Sequence, residues 1–146
     1  MANVNDVAAY ILTRTGEITT MKLHKLTYYA QAWHLAWDGL PIFAEPIEAW
    51  RNGPVIPELY RQHKGTFTVC EWPSGDPSRL TEAERETVDV MLKGYGDLPP
   101  SRLSQLTHRE DPWVEARHGL QWAERGNNPI SLDTMQDYYG SLIADD

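Results

Sequence analysis

Histidines and carboxylates are the first residues of this chain whose types and spacing could do chemistry. His24 and His34 stand ten residues apart in a stretch of helical periodicity. Nearly three turns, roughly 15 Å of rise, would then separate them, so one metal ion cannot hold both. His108-Arg109-Glu110 has the His-x-Glu pattern of a zinc deaminase, in which the histidine ligates the metal and the glutamate moves a proton. The paired cysteines of that site are missing, because Cys70 is the only cysteine. That count also excludes an internal disulfide and suits a reducing, cytoplasmic setting. Neither flanking residue of Cys70 would lower its pKa. No HExxH pair, nucleophile elbow, phosphate-cradling glycine loop or dinucleotide fingerprint occurs. A metal-dependent enzyme using His108 and Glu110 is therefore the weaker reading. The stronger is a protein with no catalytic residue, cofactor or metal.

The element that must position most of these groups runs from Thr20 to Gly39. At 3.6 residues per turn, Thr27, His34, His24, Gln31 and Asp38 form one narrow polar stripe. Leu23, Leu26, Ala30, Trp33 and Trp37 form an apolar face, continued by Tyr29 and Ala36 to a second row of Met21, Tyr28, Ala32 and Leu35. A helix apolar over most of its circumference is wrapped by other elements. Thr19 or Thr20 caps it and Gly39 ends it.

Around this centre the sequence predicts a mainly α (α+β) domain spanning 1–146, a compact set of helices with a small sheet or hairpin inserted after the central one. Val4, Val7, Ala8, Ile11 and Leu12 mark a one-sided first helix, capped by Asn3 or Asn5 and broken at Gly16. Pro41-Ile42-Phe43 and Ile47–Trp50 are short strand-like runs, and Arg51-Asn52-Gly53-Pro54 is a turn. Pro57–Arg61 suits a short helix, Thr66–Val69 an edge strand and Glu71–Ser78 an exposed loop. Thr81-Glu82-Ala83-Glu84 is a capping box for a helix carrying Val88, Met91, Leu92 and Tyr95. Pro99-Pro100 opens a further helix, with Leu103 and Leu106 inward. Asp111-Pro112-Trp113 reads as a capping carboxylate before a helical proline. Asn127-Asn128-Pro129 reads as a loop, and Ser131 as the cap of a last helix bearing Leu132, Met135, Tyr139 and Leu142.

Charge narrows the function classes. With 21 acidic against 13 basic side chains the formal net charge is −8. Phosphate binding wants a basic surface, so nucleic acid is disfavoured as the main partner, whereas a basic protein partner is compatible. The N-terminus lacks the basic leader and apolar run of a signal peptide. No stretch approaches the apolar length of a membrane span.

Two groups invite an interaction reading. Lys22 and Lys25 lie in the first turns of the central helix, where the macrodipole disfavours each cation by a few tenths to about 1 kcal/mol. Either paired carboxylates or a partner offsets that. Trp50-Arg51-Asn52-Gly53-Pro54 makes a rigid tip with the side chains most enriched in binding hot spots, though a buried Trp50 in a structural turn explains it equally well. Around Thr107–Trp113 the structural explanation is better: a helix corner in which His108 bonds backbone carbonyls and Trp113 plugs the core.

Lys22-Leu23-His24-Lys25-Leu26-Thr27-Tyr28-Tyr29-Ala30-Gln31-Ala32-Trp33 resembles the KLxKLxYYAQxW signature of the Panacea, or SocA-like, antitoxin domain. Further blocks follow in the family's order: Phe43–Val55, with Trp50, Gly53 and Pro54; Leu59-Tyr60; Lys64-Gly65; Leu106–Trp113, with His108 and Pro112; Ala116-Arg117; Ile130; and Tyr138-Tyr139. Asp111 departs from the small residue usual before Pro-Trp. The resemblance implies a bacterial or phage antitoxin of a two-gene system, acting in phage defence or carried by a prophage, that neutralises a toxin by binding it. In one family type it instead delivers the toxin to a protease. Placed on this chain, the expected toxin-contacting face comprises Lys22, His24, Lys25, Arg51, Asn52 and Tyr60. The simpler alternative is that Lys22 and Arg51 pair with carboxylates such as Glu48.

Overall fold

Asn3 and Asp6 cap each other's backbone reciprocally and start helix α1 (Val4–Thr15). The computed structural model describes residues 1–121 and 124–144. After the short strand β1 (Ile18–Thr19), the Thr19 side chain accepts from Lys22 N–H and starts α2 (Thr20–Asp38). Gly39 N–H closes α2 by donating to Leu35 O. The chain then forms β2 (Glu48–Trp50), β3 (Gly53–Val55), α3 (Pro57–His63) and β4 (Thr68–Val69). A 3₁₀ turn (Pro77–Arg79) leads to α4 (Glu82–Tyr95), begun by the Thr81–Glu84 capping box. Helices α5 (Pro100–Thr107) and α6 (Asp111–Ala116), strand β5 (Asn128–Pro129) and helix α7 (Leu132–Ala144) follow. The protein is mainly helical with little sheet, as the sequence predicts.

All pairing is antiparallel. Strand β2 lies between β3 and β5, with Glu48 opposite both Val55 and Pro129, and β1 pairs β4 through Ile18 and Val69. Helix α2 is the centre: α1, α4, α5 and α7 all pack on it. Leu23, Leu26, Tyr28, Tyr29, Ala30 and Ala32 have no exposed surface. They meet Val4, Val7, Ala8 and Ile11 of α1, Val88 and Met91 of α4, Leu103 of α5 and Met135 and Tyr139 of α7 in one cluster. Each such leucine or isoleucine contributes about 1.5–3 kcal/mol by leaving water. Polar aromatics join the core as a satisfied set. Tyr29 Oη (2.6 Å) and Tyr139 Oη (2.9 Å) donate to Glu110 Oε1, and Tyr28 Oη lies 3.0 Å from Tyr139 Oη. With the Tyr139 proton committed to Glu110, Tyr28 donates to Tyr139. Burial raises the Glu110 carboxyl above its ordinary value, and the two tyrosine donors oppose that.

In the polar stripe of α2 Asp38 is exposed, while His24, Thr27, Gln31 and His34 are buried. The buried ones satisfy main chain. Gln31 Oε1 accepts from Ile42 N–H (2.8 Å) while its Nε2 donates to Phe43 O (2.8 Å), and His34 Nδ1 lies 2.6 Å from Leu40 O. This explains why Pro41–Phe43 is buried irregular chain and not a strand: side chains of α2 take the bonds a sheet neighbour would. Trp33 is half-buried and Trp37 and Met21 are exposed, so the apolar circumference is incomplete at both ends of α2. Asp111 does not cap α6; Glu110 holds the N-cap position, without a side-chain cap, its carboxylate being taken by the tyrosines. Asn128-Pro129 is a strand because Ile130 N–H bonds Ile47 O and extends the sheet edge. The 71–78 loop is anchored, not free. Trp72 is buried with its Nε1 donating to Asn5 Oδ1 (3.0 Å), and Gly75 lies so close that a Cβ there would sit 2.0 Å from Asn5 O. Leu132 and Leu142 are exposed near the ends of α7.

Candidate functional site

Lys25 projects from the second turn of α2 into the underside of the β2–β3 hairpin. It is 2% exposed, and its ammonium lies 3.4 Å from Pro54 O. Gly53, at φ 124°, lets the turn settle on it: a Cβ there would come within 2.7 Å of Lys25 Cε and 3.1 Å of Thr107 Oγ1. Burial pushes the Lys25 pKa down to about 8, because a desolvated ammonium is costly. So the cation at the unfavourable end of α2 is not free in solvent, and no carboxylate among the described residues neutralises it.

Beside it, Ile56 N–H donates to His24 Nδ1 (3.1 Å), which places the proton of the neutral ring on Nε2. That Nε2–H points at His63 Nε2, 2.6 Å away. The His63 proton is then on Nδ1, a buried atom with no partner beyond its own main chain among the described residues. Burial first, then the neighbouring Lys25 and His63, hold His24 well below the usual histidine range; burial lowers His63 as well. The chain His24–His63–Tyr60–Trp50 continues by edge-on ring contacts, with centroids 4.9, 5.4 and 5.0 Å apart.

These groups line one open cavity of about 690 Å³, with Thr20, Met21, Val55, Arg125, Gly126 and Asn127 completing it. Five of the six candidate contact residues line it: His24, Lys25, Arg51, Asn52 and Tyr60; Lys22 does not. Arg51 and Asn52 are exposed, Tyr60 and Lys22 half-buried, and His24 and Lys25 buried. Among the described residues no carboxylate pairs with Lys22 or Arg51; Glu48 instead accepts from Trp50 Nε1 (2.8 Å). Next to the mouth, Phe67 O accepts from Thr20 N–H, and the Phe67 ring is 78% exposed.

The remaining motif residues brace the hairpin from behind. Trp113 Nε1 donates to Trp50 O (2.8 Å), Ser104 Oγ to Asn52 O (2.5 Å) and the buried Arg117 Nη1 to Ala49 O (3.0 Å). Arg117 also bonds Glu124 O and lies over the Trp113 ring, and Pro112 is buried beside it. His108 stacks on Trp113 at 4.2 Å and bonds the Arg51 main chain. It goes to the hairpin while Glu110 goes to the tyrosines, so the His-x-Glu pair does not converge on one point. Among the described residues no group of three or more His, Cys, Asp or Glu side chains is placed to hold a metal.

Sequence reading missed His63, Met21, Thr20, Arg125 and Asn127. His63 was within reach: it follows Tyr60 by one helical turn, so extending that helix two residues puts both on one face. Arg125 and Asn127 arrive only because β5 pairs with β2, for which the local sequence carries no sign.

The hairpin tip, braced on the central helix, thus brings cationic, aromatic and amide side chains to an open cavity. The chain belongs to the antitoxin SocA-like, Panacea domain family, whose model matches residues 23–114. No curated protein and no solved structure matches it. Among the described residues no helix is long and apolar enough to cross a membrane.

Proposed function

We propose that this protein, one domain over residues 1–146, is an antitoxin that neutralises a cognate toxin by direct, stoichiometric binding in the cytoplasm of a bacterial host. We place the contact on the face around the hairpin tip. The observation that carries this reading is the meeting of two family blocks, the start of α2 and Trp50–Pro54, at an open cavity lined by exposed Arg51, Asn52 and Met21, with exposed Phe67 bonded through its main chain to the lining residue Thr20. Arginine and large aromatics are the usual anchors of interface energy. Lys25 and His24 support the tip from beneath and would touch a toxin only inside the cavity. The net charge of −8 favours a basic toxin and an association that slows as salt rises.

The test expresses the adjacent gene alone and with this chain. Rescue of growth by the wild type, and its loss with Arg51→Ala/Phe67→Ala, supports the reading if that variant melts as the wild type does. Rescue with a stable co-purifying complex means occlusion; rescue with the toxin disappearing in a protease-dependent way means delivery to a protease. Full rescue by the double variant removes this face as the contact, and an innocuous neighbour removes the antitoxin reading.

A further inference from the structure

The cavity at the hairpin tip has a one-sided charge. Lys25, Arg51 and Arg125 line it, and no described lining residue is a carboxylate, although acidic residues outnumber basic ones in the chain 21 to 13. Three cations around one space repel each other and gain from a shared counter-charge. The first residues of α2, Thr20 and Met21, also line it, and the start of a 19-residue helix adds a positive dipole end. Lys25 has three donor protons, yet among the described residues its ammonium bonds only Pro54 O, at the long distance of 3.4 Å. An ammonium 2% exposed with one long bond gains from any acceptor that enters the cavity.

A metal does not fit the same place. The Ile56 N–H bond leaves the His24 proton on Nε2, the nitrogen that faces His63, and the Lys25 cation acts on His24 as well. A polyanion such as nucleic acid would meet the repulsion of the net −8 surface beyond the mouth. A single oxyanion would not. The lining also holds Trp50, Tyr60 and Val55 and the amides of Asn52 and Asn127, and about 690 Å³ is the size of a small-ligand site.

We propose that this cavity binds an oxyanion, carboxylate or phosphoryl, through Lys25, Arg51 and Arg125, with the ligand's organic part against Trp50 and Tyr60. The guanidinium forks suit either group, and each bond is charge-assisted. A carboxylate would come from an acidic side chain of a bound polypeptide, a phosphoryl group from a small metabolite. Neither source depends on the antitoxin reading.

The test uses the full chain alone, labelled with ¹³C at lysine Cε. The Lys25 resonance is identified by its loss in Lys25→Met. Sodium phosphate and sodium glutarate are titrated at pH 7, against sodium chloride at matched ionic strength. A saturable displacement of the Lys25 resonance by either oxyanion, at least tenfold weaker in Arg51→Ala/Arg125→Ala with unchanged melting, supports the site. Preference for phosphate assigns the metabolite source, preference for glutarate the acidic side chain, and equal response an unselective oxyanion site. A response no larger than chloride's, or one unaltered by the double arginine change, overturns the proposal. Because no toxin is present, that failure leaves the antitoxin reading to its own test.

Discussion

Replacing Lys25 by Met should stabilise the protein at neutral pH, and the gain should vanish in alkali. The ammonium titrates at about 8 in the fold against 10.5 ordinarily. At about 1.4 kcal/mol per pH unit, the difference is worth about 3 kcal/mol. The sign follows from proton counting. Below pH 8 both folded and unfolded chains hold the proton, and the fold carries the full cost of the buried charge. Between 8 and 10.5 the unfolded chain holds more protons, so wild-type stability rises by up to about 3 kcal/mol. Methionine keeps the length of the stem and has no charge. Pro54 O loses its donor, a loss of about 1 kcal/mol. The variant should therefore gain about 1–3 kcal/mol at pH 7, several degrees of melting temperature for this chain length. Urea titrations of both proteins across pH 7 to 11 read this directly. The groups facing Lys25 are His24 on its own helix, Arg51 on the hairpin, and Thr107 and His108 at the end of α5. Burial raises the phenols of Tyr28, Tyr29 and Tyr139, which erodes stability above pH 10 in both proteins equally. The difference between the two curves is thus free of them. A flat difference from pH 8 to 10.5, or a variant less stable than wild type by over about 1 kcal/mol at pH 7, would refute the reasoning.

Glu110→Ala should cost roughly 2–4 kcal/mol, because the buried Tyr29 and Tyr139 hydroxyls both lose their acceptor. Glu110→Gln retains an acceptor and should stay within about 1 kcal/mol by thermal melting. Two glycines should respond with opposite signs. Gly53→Ala, at φ 124° and against Lys25 and Thr107, should lose about 1–3 kcal/mol, whereas Gly94→Ala, in open space on α4, should gain roughly 0.5–1 kcal/mol. Acid should open the His24–His63 contact. Both rings are held below 6.5, so the unfolded chain protonates first and stability falls as pH drops below about 6.5. His24 faces Lys25 and the Ile56 N–H; His63 faces Tyr60 and Trp72. Melting temperatures from pH 7.5 to 5.5 should fall more steeply for wild type than for His63→Gln.

Local chemistry was enough to read the frame of this protein. Thr19, the Thr81–Glu84 box, Gly16 and Gly39 mark helix ends through bonds within a few residues, and they stand where the sequence put them. The apolar spacing of Leu23, Leu26 and Ala30 made α2 a buried centre, because burial follows from side-chain type and period alone. The nature of its polar stripe was not legible. Whether His24, Gln31 and His34 face water or main chain depends on how residues 40–56 pass over them, and their own types suit both. Lys25 shows the same limit, since its burial depends on the close approach that Gly53 permits. The cavity is a tertiary product for a further reason. Its walls come from the start of α2, the hairpin, α3 and residues 125–127. Only the pairing of β5 with β2 and the seating of the hairpin on α2 bring those four segments together, and such long-range contacts leave no periodic signal in the chain.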